Sequence, residues 1–194
     1  DAAFYLSSHP EVLSSGLTPQ EHYLKVGASK GWDPHPLFST SWYLEKNRDV
    51  AQRGTNPLVH FLRHGAMEKR SPHPLFDIAL YLAAYPQAAA SGMNPLEHYL
   101  QIGGQAGFRP HWLFDGKAYL DAYPEVREAG VNPLLHYLRI GHLVDYRPHW
   151  AFDPVYYRAN NPGVVEPGMP ALWHFVTNGA RQRLNPSADF DSAA

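Results

Sequence analysis

The sequence predicts an all-α fold: a solenoid-like array of tandem helical repeats, five units of equal length with three short helices in each. Three observations lead there. A His recurs at His22, His60, His98, His136 and His174, at the same spacing each time, with no insertion or deletion. Around it the chain repeats a helix start, as in Asn94-Pro95-Leu96-Glu97-His98-Tyr99-Leu100. There Asn caps, Pro takes the first helical position, and Leu96, Tyr99 and Leu100 share one face. The alternation of a half-buried strand never persists for more than a few residues. Self-similarity at a fixed period is the mark of a repeat architecture. The units are 1–38, 39–76, 77–114, 115–152 and a divergent 153–190, with 191–194 opening a further one.

The first helix of each unit carries Tyr5-Leu6, Tyr43-Leu44, Tyr81-Leu82, Tyr119-Leu120 or Tyr157-Arg158. Asp77, Asp115, Asp153 and Asp191 each follow a Phe and are expected to cap it; Ser39 stands in the same column after Phe38, as capping allows. The helix should stop before Pro10, Pro86, Pro124 and Pro162, because the residue ahead of a Pro is pushed out of the helical region. Arg48 breaks that column.

A very short second helix follows, as in Pro124-Glu125-Val126-Arg127-Glu128-Ala129. Gly16, Gly54, Gly92, Gly130 and Gly168 end it, and the apolar Leu17, Met93, Val131 and Met169 suit a Schellman-type close. The third helix starts at Thr18-Pro19, Asn56-Pro57, Asn94-Pro95 or Asn132-Pro133. It ends at Gly27, Gly65, Gly103, Gly141 and Gly179, where a left-handed glycine is expected. A connector of about ten residues leads on. Pro34, Pro72, Pro110, Pro148 and Pro186 share one of its columns and should make it rigid.

The fifth unit departs most, with Pro154, Arg158, Pro167, Pro170 and Ser187, as a capping repeat would. Phe190-Asp191 then restarts the motif, so the chain resembles a cut from a longer polypeptide. Helices this short are marginal alone, so the aromatic columns must form a shared core. Each buried aromatic contributes roughly 2–3 kcal/mol.

Five units nearly fill the 194 residues, leaving no room for a separate catalytic domain. A formal net charge of −2 gives no electrostatic footprint for nucleic acid or an anionic membrane. No apolar run approaches a membrane span and no signal-peptide pattern opens the chain, so direct membrane insertion is not expected. The expected location is cytoplasmic, including the membrane periphery, with secretion as the alternative. Without Cys there are no disulfides and no thiolate metal sites.

Two His columns invite a metal reading: the third-helix one and the connector one, His35, His73, His111 and His149. Zinc accepts imidazole, but closed sites want three or four ligands and no carboxylate recurs beside both columns. His60 and His64, four apart, make one local pair. Both columns are therefore read as structural, their ring nitrogens bridging backbone groups of a helix end and the connector, with no metal and no cofactor.

The candidate binding surface lies in the connectors. Trp32, Arg70, Phe108 and Tyr146 share one column, always large but changing in chemistry. Trp112 and Trp150 replace Pro36 and Pro74, and Arg109 and Arg147 stand just before them. An Arg beside an aromatic can grip a carboxylate or a hydroxyl-rich ligand. Catalytic motifs are lacking: Gly103-Gly104-Gln105-Ala106-Gly107 follows a helix with no strand before it, and no carboxylate pair recurs. An enzyme is not expected.

Pro72-His73-Pro74-Leu75-Phe76-Asp77, Tyr119-Leu120 with Tyr123-Pro124-Glu125-Val126, and Asn132-Pro133-Leu134-Leu135-His136-Tyr137-Leu138 together carry a resemblance. They resemble a bacterial repeat found in tandem beside glycosyltransferase domains of surface-polysaccharide synthesis proteins, including rhamnan-synthesis-type ones. Related units occur in large secreted calcium-binding repeat proteins, whose Gly-Gly-x-Gly-x-Asp nonapeptides this chain lacks. The resemblance implies an accessory module: a non-catalytic docking or scaffold part whose partner is another protein or the parent glycosyltransferase. The alternative is a glycan-binding array that holds surface polysaccharide on connector aromatics and Arg.

Overall fold

A computed structural model describes residues 1–190; the cap expected at Asp191 and the further unit at 191–194 lie outside them. The fold is all-α, with one pattern of short helices recurring along the chain. Among the described residues there is no sheet. Isolated antiparallel bridges join His35 to Phe38, His73 to Phe76, His111 to Phe114 and His149 to Phe152. The chain divides into two compact units, one from Asp1 to Ala79 and one from Leu80 onward.

The first helices are Ala2–Ser8, Thr40–Lys46, Ile78–Ala84, Gly116–Ala122 and Pro154–Asn160. Asp1, Asp115 and Asp153 cap theirs through the side chain, accepting from Phe4, Ala118, and both Val155 and Tyr156. Ser39 does not cap in this way, contrary to expectation. Upstream of it, Asp33 takes the Thr40 N–H at 2.7 Å, and Thr40 Oγ1 donates to the Trp32 carbonyl. Ser71 does the same for Ile78. In the second unit the capping acceptor has thus moved from Ser39 to Asp33 of the connector.

The second helices are Pro10–Ser14, a 3-10 turn, and then Arg48–Gln52, Pro86–Ala90 and Pro124–Glu128. Each is followed by its glycine in the left-handed region, as the sequence predicts, and the fifth-unit Gly168 shares that region, with φ from 62° to 82° across the column. The fifth unit corrects the count of three helices per unit. Residues 161–170 run in turns and bends, because Pro162 and Pro167 remove donors and Gly163 and Gly168 turn left-handed.

The third helices open under Thr18, Asn56, Asn94 and Asn132, whose side chains accept backbone N–H groups; Thr18 and Glu21 form a full capping box. In four units the helix widens into a π turn before its glycine, with i to i+5 bonds such as Ala28 N–H to Tyr23 O at 2.9 Å. The glycines Gly27, Gly65, Gly103, Gly141 and Gly179 are not left-handed, which corrects the expectation from sequence. The left-handed column of the connector lies further on: Gly31, Lys69, Gly107, Asp145 and Arg183.

Within each unit the first-helix Tyr meets the third-helix aromatic edge to face. The centroids stand 6.0 Å apart for Tyr5–Tyr23, 6.0 Å for Tyr43–Phe61, 5.7 Å for Tyr81–Tyr99, 6.2 Å for Tyr119–Tyr137 and 5.6 Å for Tyr157–Phe175. All ten rings are buried. In three repeats a backbone rung ties the first-helix cap to the connector that closes the same repeat. It runs from Ser39 N–H to Pro72 O at 3.0 Å, Asp115 to Pro148 at 3.0 Å and Asp153 to Pro186 at 2.9 Å.

Candidate functional site

The third-helix His column does not bridge backbone groups. Its Nδ1 pairs with the hydroxyl of the first-helix Tyr in the same repeat: Tyr5–His22, Tyr43–His60, Tyr81–His98, Tyr119–His136 and Tyr157–His174, all at 2.8–2.9 Å. The same hydroxyls fill the space where a Cβ would stand on Gly27, Gly65, Gly103, Gly141 and Gly179. Tyr, His and Gly thus form one packed triad per unit. Burial pushes the Tyr43 and Tyr157 hydroxyls up to about 12 and pulls the imidazoles of His60, His136 and His174 below their ordinary range.

A pH dependence follows. An unfolded chain protonates these imidazoles near pH ~6.5, whereas the folded one does so at lower pH. Their contribution is therefore complete above that value and is lost as pH falls below it. Asp33 acts in the opposite sense. Burial raises its carboxyl from 3.8 to about 6, so its charge opposes folding fully above that value and is relieved on acidification. The melting temperature is expected to fall between pH ~7 and ~5. Asp33→Asn should raise it by roughly 2–5 °C at pH ~7.5 and make the acid loss steeper. Thermal melts of both proteins across that range provide the check, and a lowered melting temperature for the variant at pH ~7.5 would refute the assignment.

The connector His column closes a turn. Nδ1 of His35, His73, His111 and His149 accepts the N–H two residues on, at 3.0–3.2 Å, while the Phe three residues on returns its N–H to the His carbonyl. His60 and His64 lie with ring centroids 5.8 Å apart, and His60 Nδ1 is already paired with Tyr43. Among the described residues no group of three or more His, Asp or Glu could hold a metal.

The variable column Trp32, Arg70, Phe108, Tyr146 meets, in each repeat, the residue that directly follows the first helix. Trp32 stacks on His9 at 3.7 Å, Phe108 on Tyr85 at 3.9 Å and Tyr146 on Tyr123 at 3.7 Å, all within 6° of parallel. Arg70 donates to the Asn47 amide at 3.1 Å and is held by Asp49 and Glu68 at 2.7 and 2.6 Å. Where the partner is Tyr, its hydroxyl also accepts the next backbone N–H, Arg109 to Tyr85 and Arg147 to Tyr123, both at 2.7 Å. These pairs clamp the connector to the end of the first helix. Sequence reasoning missed His9, Asn47, Tyr85 and Tyr123, although the two columns change together from unit to unit.

Arg109 and Arg147 pair with Asp115 and Asp153, the caps of the following helices. Beside the first pair lies a polar cleft of about 350 Å3 lined by Tyr85, Lys117 and Asp121. Trp112 and Trp150 remain, 51% and 76% exposed, each with its ring near the His that precedes it. The Asp115–Pro148 rung joins the end of one connector to the other, and burial, then the Arg109 charge, pull the His149 imidazole below its ordinary range. The two indoles therefore stand at the same position on consecutive connectors.

Comparison with family models, with curated proteins and with solved structures finds no match for this chain. Among the described residues no helix is long and apolar enough to cross a membrane.

Proposed function

We propose that the chain is a non-catalytic docking module of a bacterial polysaccharide-synthesis system, holding a protein partner or its parent glycosyltransferase on the connector face. Trp112 and Trp150 carry this reading. They are large apolar rings left more than half exposed at one repeated position, on connectors whose other candidate groups are already paired. Exposed aromatics beside Arg are the composition of interface anchors. Single contacts of this size are weak, and repetition on successive connectors supplies avidity. The glycosyltransferase context rests on the resemblance of the Pro-His-Pro-Leu-Phe-Asp and Asn-Pro-Leu-Leu-His-Tyr-Leu segments. The same rings could stack on sugars, and titration separates the two readings. Binding to the transferase domain should weaken about tenfold in Trp112→Ala or Trp150→Ala, as loss of a central aromatic does. Acidic and neutral oligosaccharides of any length should give flat titrations. Sugar binding that strengthens with chain length and is lost in the same variants would replace docking by glycan recognition.

A further inference from the structure

The aromatic pair of each unit is a socket. In three units whose plug is described, a connector Phe sits on both rings. Phe38 lies 5.4 and 5.5 Å from Tyr43 and Phe61, Phe114 5.3 and 5.7 Å from Tyr119 and Tyr137, and Phe152 5.4 and 5.6 Å from Tyr157 and Phe175. The plug comes each time from the residue just ahead of the first-helix cap, and all three Phe are buried to 1% exposure or less.

The first unit has the rings without the plug. Tyr5 and Tyr23 keep the same edge-to-face geometry, but they open onto a mostly apolar cavity of about 300 Å3, also lined by Asp1, Pro34, Leu58 and Leu62. Its walls are less covered than their counterparts. Pro19 is half-buried where Pro57, Pro95 and Pro133 are buried, and Leu58 is half-buried where Leu96, Leu134 and Leu172 are buried. The Asp1 amino group donates to Pro34 O at 3.0 Å, the bond that a peptide N–H makes at Ser39, Asp115 and Asp153. Burial pulls the pKa of that amine below its ordinary value, a cost that an uncharged peptide N–H would not carry.

We propose that the Tyr5–Tyr23 cavity is the binding site of a Leu-Phe connector of the Pro-His-Pro-Leu-Phe type, joined by a peptide bond to Asp1. This socket is independent of the docking role of the tryptophans. The amine already occupies the place of a peptide nitrogen at the mouth of the socket, so one residue ahead of it falls where Phe38, Phe114 and Phe152 fall in theirs. A second copy is a poorer source. Its Pro186-Ser187-Ala188-Asp189-Phe190 segment carries Asp189 in the column where Leu37, Leu75 and Leu113 are fully buried, and burying a carboxylate there is costly.

The test extends the chain with its own connector, placing Arg-Ser-Pro-His-Pro-Leu-Phe (the sequence of 70–76) directly ahead of Asp1. The melting temperature should rise by about 5–10 °C, the shift expected from seating a buried Phe in a chain of this size. The same extension ending in Ala-Ala should give no rise. Equal melting temperatures for the two extensions would overturn the proposal. So would an oligomer of the unextended chain that Phe190→Ala disperses, because a second copy would then hold the socket.

Discussion

Gly141→Ala is expected to destabilise the fold by about 3 kcal/mol, although in an open helical position the same change helps by up to ~1 kcal/mol. The reason is the Tyr119 hydroxyl, which occupies the place a Cβ would take; once that oxygen is discounted, the nearest atoms are Tyr137 and Tyr119 ring carbons at 3.4 and 3.5 Å, ordinary contact. Tyr119→Phe removes the oxygen and leaves His136 Nδ1 without its 2.9 Å partner, at a cost of about 1 kcal/mol. The double variant should then cost about 1 kcal/mol rather than the ~4 kcal/mol of two independent losses, a coupling of roughly 3 kcal/mol. Urea denaturation of the four proteins measures it. Additive losses would mean that the glycine column has some other cause.

This triad marks where the sequence stops being legible. A glycine column says that Cβ is unwelcome, without saying whether torsion or space forbids it. Gly92 is the torsional case, with φ at +71° and nothing within 4 Å of the place a methyl would take. Gly103 is the spatial case, and its reason is the hydroxyl of Tyr81, on the first helix of the same repeat. The left-handed column of the connector was hidden for the opposite reason, since Lys69, Asp145 and Arg183 fill positions that residue identity does not betray. The period, the Asn-Pro starts and the first glycine column were readable because they depend on neighbours in sequence. The clamp had left a signal, Tyr85 with Phe108 and Tyr123 with Tyr146 but Asn47 with Arg70, which is visible when units are compared column against column. What composition could not reveal is that Arg70, Arg109 and Arg147 are all held by carboxylates of this chain.

One connector carries two aromatics with opposite fates, and Phe114→Ala should separate them. Phe114 is fully buried between Tyr119 and Tyr137, so truncation removes its transfer energy and leaves a cavity that two ring walls cannot collapse to fill. A loss of about 3–5 kcal/mol is expected. In a repeat array that loss falls on one unit and its junction, which broadens the unfolding transition as well as lowering its midpoint. Trp112, on the same connector, is 51% exposed, and its truncation should change stability by less than about 0.5 kcal/mol. Partner binding should show the reverse dependence, being lost in Trp112→Ala while the melting temperature holds. Urea unfolding of the two variants, read beside their partner titrations, tests both at once. A stability loss above ~1 kcal/mol for Trp112→Ala would mean that the indole packs against its own chain, and the connector face would then lose its anchor.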